Sequence, residues 1–573
     1  MLQLPEEEST KIVIFFLSLL YFGFLTAPGA TWVNTDCDGF IYLTAAKFHT
    51  ISHPVGAPLY NAINNAIIQI PIGNEFWRLA MVSAICSAIT AVLLYLIATR
   101  FVSSWKALIA PAVFLASGLV VSQSTIVETY AMATLFAVLM YYLHLEGKSR
   151  LKYAVGGLGT AVHPITLFIL LPVLISDWWN SGKNIKLVAK NAVFGLLYLP
   201  CLSYIFIANQ EPFIWSSGNS LSDNFFYIFG GSSTLGRLTI IPTGDLICRL
   251  QDLGTLLLIG FSLSLILIIP GIITSVRNRN YLLPALFVMP ILLYFSFQPP
   301  QTYVYMMPSF ALGGILAIIG IKFYTKKITQ TTITIVVLAS SMGLMVYNTQ
   351  VYDIGNNLDK KLAADEFYQG LKDIENDAVV WSSWRQWEGC AIALYNRENG
   401  TNIYSVGFPG KIADWENEDG IASEEFIDFC EAAAIGGKLY KSEVYSSRTK
   451  EARLYKMDLG EFRELPESDD YWRQRYCDFK LQICYISPLG GNPIKNFYDI
   501  CTGEVELTRW KCHTESNKTF IFFFNLIVIG GASGYFGSTV KDRRRKIIIF
   551  TLGAILLFLT AWFMTYIYQL TVG

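Results

Sequence analysis

Stretches of about 20 consecutive apolar residues recur along this chain and constrain its fold more than any other feature of the sequence. Each is long enough to cross the hydrocarbon core of a bilayer, about 30 Å thick, as a helix. Only 15% of the 573 residues are charged, against roughly 25% in a typical soluble protein, so an ordinary soluble enzyme is excluded. We predict membrane spans near 12–28, 79–99, 105–122, 128–145, 187–208, 252–275, 281–298, 303–322, 329–349, 518–538 and 547–569.

One further apolar window, 153–176, differs because His163 and Pro164 lie at its middle, and proline interrupts a helix. Lysines and arginines flank both of its ends, and the positive-inside rule assigns both ends to the cytoplasm. A single crossing cannot satisfy that rule. We therefore predict two short helices, about 153–162 and 164–178, that form a hairpin. This makes thirteen membrane helices, and one continuous helix is the alternative.

Charge also divides the chain along its length. Residues 351–520 hold 30 acids and 20 bases, whereas the rest of the chain is basic. The short basic loops face the cytoplasm by the same rule, which leaves the long segments outside. We predict a membrane domain over 1–349 with outer loops 29–78 and 209–251, an extracytoplasmic α/β domain over 350–517, and a C-terminal membrane hairpin over 518–573.

The outer domain alternates short apolar runs with helical patterns, as small α/β domains do. The apolar runs are 378–381, 403–406 and 481–486, and the helical patterns are 359–374, 389–395 and 424–434. Six cysteines in an extracytoplasmic domain predict up to three disulfides, without fixing their pairing. They are Cys390, Cys430, Cys477, Cys484, Cys501 and Cys512. Asn399 and Asn517 lie in glycosylation sequons.

Three acidic side chains at the membrane rim are candidates for chemistry. Asp36 and Asp38 directly follow the first span, where a carboxylate can reach both a lipid-borne and an aqueous substrate. Glu128 starts the fourth span, where an ionisable group is costly and usually faces a polar cavity. His163 can donate a hydrogen bond to a phosphate. Helix capping for the acids and a backbone-satisfied core position for His163 remain open.

Four motifs within the first 175 residues resemble those of one family, in the family's order. Asp36-Cys37-Asp38-Gly39-Phe40 resembles its Asp-Ser-Gly-Glu-Phe element, and His53 to Tyr60 its His-Pro-Pro-Gly-Tyr-Pro-Leu-Tyr element, followed by Arg78. Glu128 to Met132 resembles Glu-Val-Tyr-Ala-Leu, and Ala161 to Thr166 resembles Gly-Asn-His-Leu-Thr. The chain thus resembles the GT-C superfamily and, within it, the protein O-mannosyltransferase-like enzymes. Gly39 and Val162 depart from the family's glutamate and asparagine.

The resemblance implies a GT-C-like polytopic membrane enzyme: a hexosyltransferase that transfers mannose or another hexose from a polyprenyl-phosphate donor, with inversion, to a hydroxyl of a secreted or surface protein. It implies Asp36 as the base and Asp38 and Glu128 as further catalytic residues. The implied substrate-binding residues are His53, Tyr60, Arg78, Tyr130, His163 and Arg237. We expect no metal, although Asp36 and Asp38 could hold Mg²⁺ or Mn²⁺ through oxygen ligands. The location implied is the cell membrane, or the endoplasmic reticulum in a eukaryote, with the site outside.

Other functions stay open from sequence. A glycosyltransferase acting on a lipid or glycan would look the same. A transporter would also place polar groups in the membrane, but its halves usually repeat, and no repeat is evident here. The departures at Gly39 and Val162 keep a non-catalytic membrane assembly protein open. No basic stretch is interleaved with aromatic residues, so a nucleic-acid partner is not expected.

Overall fold

The computed structural model describes residues 6–31, 38–50, 52, 57–207, 253–254, 256–257, 260–296, 300–351, 358–381, 385–406, 424–444 and 452–463. These residues form a helical bundle, over the N-terminal part, and a small mixed sheet with its own helices. The two last predicted spans, the apolar run 481–486 and four of the six outer cysteines lie outside them.

The helical bundle contains sixteen described α-helices, most of them apolar. They are α1 Glu6–Leu25, α2 Gly39–Phe48, α3 Pro58–Ile68, α4 Glu75–Thr99, α5 Ser104–Ala107, α6 Ile109–Ala116, α7 Gly118–Ser124, α8 Tyr130–Leu145, α9 Ser149–Val162, α10 Ile165–Asn180, α11 Ile185–Ala192, α12 Tyr198–Ile207, α13 Leu265–Arg277, α14 Leu282–Ser296, α15 Met307–Ile321 and α16 Lys327–Val351. Short 3₁₀ turns lie at Val193–Leu197, Ser262–Ser264 and Pro300–Met306.

The predicted membrane spans from 12–28 to 329–349 each have a helical counterpart, so the α-helical membrane fold is confirmed. Among the described residues, five helices are long and apolar enough to cross a bilayer alone. The segment Ser104–Ala116, which contains α5 and α6, meets α7 at Ser117 with a 67° bend, and together they could supply a sixth span. Several others are shorter apolar helices, α8 and α10 among them. The total of thirteen spans stays a prediction.

The predicted break at His163 and Pro164 is confirmed. Helix α9 ends at Val162, His163 adopts an extended conformation, and α10 begins at Ile165. The break follows from Pro164, which has no N–H to donate and forms the N-cap of α10. The two helices pack against each other. At their other ends Lys152 forms an ion pair with Asp177 (Nζ to Oδ2, 2.6 Å).

Helices α13 and α15 approach so closely that only glycine fits at their contact. A Cβ on Gly271 would collide with the carbonyl oxygen of Leu316, and a Cβ on Gly320 with that of Leu267. Small residues at a helix contact permit this close approach, which is how membrane helices gain packing energy.

Basic side chains lie over aromatic rings at several helix ends of the bundle. Lys183 lies 5.3 Å from the ring centre of Trp179, Arg100 5.6 Å from Tyr142, and Lys322 5.8 Å from Phe101. Aromatic rings paired with cations at helix ends are typical of the membrane–water interface. These cations belong to the short basic loops from which we predicted sidedness, and the side on which they lie stays a prediction.

The sheet has four strands in the order β2-β1-β3-β4. They are β1 Val379–Trp381, β2 Tyr404–Val406, β3 Leu439–Val444 and β4 Ala452–Lys456. Strand β1 pairs in parallel with β2 and β3, and β3 pairs antiparallel with β4. The accompanying helices are α17 Leu358–Gly370, α18 Arg385–Asn399, α19 Glu424–Ile435 and α20 Leu459–Arg463.

The predicted apolar runs 378–381 and 403–406 are strands, and the three predicted helical patterns are helices α17, α18 and α19. Strands β3 and β4 were not predicted, because their apolar and polar residues do not form a clear apolar run. Cys390 and Cys430 are buried and carry free thiols. These two therefore form no disulfide in the structure, and since the other four outer cysteines lie outside the described residues, the expectation of disulfides among them stays a prediction.

Candidate active site

Asp38 stands directly before helix α2, at its N-cap. Its carbonyl oxygen accepts a hydrogen bond from the amide of Tyr42 (2.8 Å), but its carboxylate makes no capping hydrogen bond. Capping, the structural alternative for this acid, is therefore not what its side chain does here. Asp36, two residues earlier, lies outside the described residues.

Tyr42 interacts electrostatically with both described acids, Asp38 and Glu128. It is buried on α2, and its hydroxyl forms a hydrogen bond with the side chain of Thr129. Burial raises the pKa of Tyr42, and the carboxylates of Glu128 and Asp38 raise it further, so the hydroxyl keeps its proton at neutral pH. The ring of Tyr60, from α3, packs edge-on against Tyr42 with centroids 4.9 Å apart.

Glu128 is 3% exposed and precedes α8. Its carbonyl oxygen accepts a hydrogen bond from Ser83 Oγ (3.1 Å), and its Oε2 accepts one from the amide of Thr129 (3.2 Å). A buried carboxylate is costly unless such contacts stabilise it. The adjoining α7 segment and helix α4 carry a further polar contact, Ser87 Oγ to Ser124 Oγ at 2.7 Å. Glu128 thus sits in a polar strip between α4 and α8.

Three rings form a cluster at the same end of the bundle. His163 lies 5.2 Å from Tyr130 and 5.3 Å from Tyr305, and the two tyrosines are 5.8 Å apart, centroid to centroid. His163 Nδ1 accepts a hydrogen bond from the amide of Ile165 (3.2 Å). In the neutral ring the proton therefore resides on Nε2, which becomes a hydrogen-bond donor. Tyr130 is also within electrostatic reach of Glu128 and Asp38.

Arg78 contacts backbone carbonyl groups. Its guanidinium donates hydrogen bonds to the carbonyl oxygens of Ile68 (3.0 Å), Ile72 (3.1 Å) and Gly73 (2.9 Å). These carbonyls belong to the end of α3 and to the turn that follows, where helical carbonyls lack intrahelical partners. Arg78 therefore stabilises this turn, and its role in substrate binding stays a prediction.

The structure brings together Asp38, Tyr60, Glu128, Tyr130 and His163 of the predicted set. Asp36, His53 and Arg237 lie outside the described residues. Two residues were missed by sequence reasoning. Tyr42 follows Asp38 by four positions and so shares its side of α2, while Tyr305 lies at the start of the predicted span 303–322, where the structure has a 3₁₀ turn.

A metal was not expected. Within the part of the chain that the structure describes, no group of three or more His, Cys, Asp or Glu side chains could hold a metal ion. Asp36 is not in that part, so the alternative of Mg²⁺ or Mn²⁺ between Asp36 and Asp38 stays a prediction.

Comparison with known proteins gives a match to one domain model and a similarity of fold. Residues 36–178 match the profile described as "Protein O-mannosyl-transferase TMEM260 N-terminal domain". The fold is similar to that of ArnT from Cupriavidus metallidurans bound to undecaprenyl phosphate, with a TM-score of 0.52 at 11% identity over 78% of this chain and 96% of that one. The resemblance to the GT-C glycosyltransferases is confirmed.

Two further solved structures match this chain. ArnT of the same organism in the apo state matches with a TM-score of 0.51 at 11% identity, over 74% of this chain and 90% of that one. The Archaeoglobus fulgidus oligosaccharyltransferase tethered to an acceptor peptide matches with a TM-score of 0.44 at 11% identity, over 76% and 69%. No curated protein sequence matches this chain. The profile match spans all four motifs and the described site residues within them, from Asp38 to His163.

Proposed function

We propose that this GT-C protein transfers a hexose, with mannose as the first candidate, from a polyprenyl-phosphate donor to a hydroxyl group of a secreted or surface protein. One observation carries the proposal. Two carboxylates, Asp38 and Glu128, and a hydrogen-bonding ring cluster meet at one end of the bundle. These residues, Tyr305 apart, lie in the segment that matches an O-mannosyl-transferase domain.

The proposed reaction needs one proton acceptor. The acceptor hydroxyl oxygen attacks the anomeric carbon, the bond from that carbon to the phosphate oxygen breaks, and the hydroxyl proton passes to a carboxylate. We assign this base to Asp36, with Asp38 and Glu128 orienting the acceptor and the sugar hydroxyls. Attack opposite to the departing phosphate inverts the anomeric configuration.

The leaving group becomes a phosphomonoester and gains negative charge, which hydrogen-bond donors stabilise in the transition state. His163 Nε2 and the hydroxyls of Tyr130 and Tyr305 supply donors from three separate elements. We propose His53 and Arg237 as further phosphate contacts, and Tyr60 as a wall of the sugar site. The apolar surface between helices would hold the polyprenyl chain, with outer loop 209–251 above the site.

The test is transfer of radiolabelled mannose from polyprenyl-phosphate-mannose to a mixture of extracellular proteins and glycolipids, by the full chain in nanodiscs. Asp36→Asn, Asp38→Asn and Glu128→Gln are compared with Asp373→Asn, an exposed acid on the sheet domain. Loss of a general base lowers turnover by about 10² to 10⁴-fold. We expect that loss for Asp36→Asn and unchanged transfer for Asp373→Asn.

The same assay separates the alternatives. Label in protein supports the proposed acceptor, and label in lipid or glycan replaces it. A chelator that abolishes transfer would establish a metal. Absence of transfer from mannose, glucose and hexosamine donors would contradict an enzyme, and solute flux in proteoliposomes abolished by Glu128→Gln would establish a transporter instead.

A further inference from the structure

Helices α17 and α18 of the sheet domain contact the described residues on both sides of the segment 32–37. This segment carries Asp36, and Asp38 follows it directly. The contacts join positions more than 300 residues apart in sequence. They therefore link the C-terminal part of the chain to the loop where we place the chemistry.

The upstream contact is made by Asp365 on α17. Its Oδ1 accepts a hydrogen bond from the amide of Ala30 (3.1 Å). At the preceding residue, Gly29, a Cβ would collide with the same carboxylate. The backbone at 29–30 is thus held directly against Asp365 with no room for a side chain between them.

The downstream contact is made through helix α2. Lys47 Nζ donates to Glu398 Oε1 of α18 (2.5 Å) and to Glu75 Oε2 of α4 (2.9 Å). Burial lowers the pKa of Lys47, but hydrogen bonds to the two carboxylates outweigh it and raise the pKa overall. The lysine therefore stays charged and bridges three elements, the bundle helix α4, the loop helix α2 and the sheet domain.

Aromatic contacts reinforce the same junction. Phe40, two residues after Asp38, stacks on Tyr368 of α17 (centroids 5.8 Å apart) and packs edge-on against Phe76 of α4 (5.0 Å). Tyr368 in turn hydrogen-bonds Glu398. The first turn of α2 is thus enclosed between the bundle and the sheet domain.

Partly exposed ion pairs contribute little to stability, so stability alone does not account for this arrangement. We infer that Asp365 and Glu398 of the sheet domain are positioning residues, which hold the backbone at 29–30 and helix α2 so that Asp38, at the start of α2, keeps its position relative to Glu128. The inference rests on the proposed function. Displacing a reacting group by about 1 Å can cost 10²-fold in rate, which is why such a clamp matters to catalysis.

The first test compares Glu398→Gln, Lys47→Met and Lys47→Arg, with Asp373→Asn as the control. We expect kcat to fall roughly 10-fold in Glu398→Gln and Lys47→Met, with KM for the lipid donor unchanged and the thermal midpoint close to wild type. Lys47→Arg keeps the charge and the reach and should recover most of the kcat. A loss that tracks the thermal midpoint, or no loss of kcat, would overturn the inference.

The second test restores the upstream contact covalently. In the double variant Gly29→Cys with Asp365→Cys, a Cβ at residue 29 would lie 3.3 Å from the position of Asp365 Cγ, close to the geometry of a disulfide. We expect the reduced protein to transfer slowly and the oxidised protein to regain activity. The single variants should not respond to oxidant.

The outcomes separate this inference from the proposed function. If wild type transfers no hexose, the function fails. If wild type transfers and Asp36→Asn does not, but oxidation leaves the double variant unchanged or inactivates it, then the clamp fails while the function stands.

Discussion

Tyr305 shows how a single side chain can complete a site without belonging to any of its motifs. It reaches the cluster from a 3₁₀ turn that lies about 140 positions beyond His163. Sequence motifs group residues that are near in the chain, so a contact of this kind is visible only in three dimensions. Replacing Tyr305 by phenylalanine removes the hydroxyl and keeps the ring. The substitution therefore distinguishes a ligand-binding role from packing.

We expect Tyr305→Phe to lower kcat roughly 100-fold, the usual cost of removing one donor that stabilises developing charge. The measurement is single-turnover transfer from polyprenyl-phosphate-mannose. Tyr281→Phe is the control, because Tyr281 is exposed at the opposite end of the bundle. Equal rates for Tyr305→Phe and wild type would show that Tyr305 only packs against His163.

For Arg78, a role in stabilising the fold can be distinguished from a role in binding the donor. Lysine lacks the planar guanidinium group that donates hydrogen bonds to three carbonyl oxygens. We therefore expect Arg78→Lys to lower the free energy of unfolding by about 1–3 kcal/mol. KM for the donor should stay the same, as judged by initial rates alongside a thermal melt. A raised KM with an unchanged melt would return Arg78 to the phosphate site.

At the scale of elements, apolar patterning predicted most of the helices, because a membrane helix must satisfy its own backbone and bury no charge. The break at His163 was predictable for the same reason, from Pro164. Helix α2 shows the limit: its contacts with α17 and α18 depend on Lys47 meeting Glu398 and on Phe40 meeting Tyr368. No local signal pairs residues so far apart, and the polar strand β4 offers no apolar run to detect.

The contact of α13 with α15 yields a prediction at this scale. Gly271→Ala and Gly320→Ala should each destabilise the protein by about 1–3 kcal/mol, since overpacking forces the backbones apart. Gly343→Ala on α16 is the matched control, because a Cβ there meets nothing within 4 Å. Thermal midpoints in detergent measure the difference, and equal midpoints for all three variants would contradict the close packing.

At the scale of the whole molecule, we predict that the sheet lies on the outer side of the membrane. Glycosylation of Asn399 tests that prediction. This residue is exposed at the end of α18, within Asn399-Gly400-Thr401. In microsomes with N-glycosylation activity, we expect a glycan that endoglycosidase removes and that Asn399→Gln lacks. A glycan found instead on a sequon introduced beside Lys183 would show that the topology is the reverse of the predicted one.

The short α9–α10 hairpin sets the depth at which chemistry can occur. Helix α9 has 14 residues, which at 1.5 Å per residue spans about 21 Å, less than the roughly 30 Å hydrocarbon core. If the start of α9 lies at the cytoplasmic face, as the charge pattern predicts, His163 lies short of the opposite headgroup layer. Under the proposed function, the donor phosphate and the acceptor would then meet below that layer, and we expect turnover to depend on bilayer thickness.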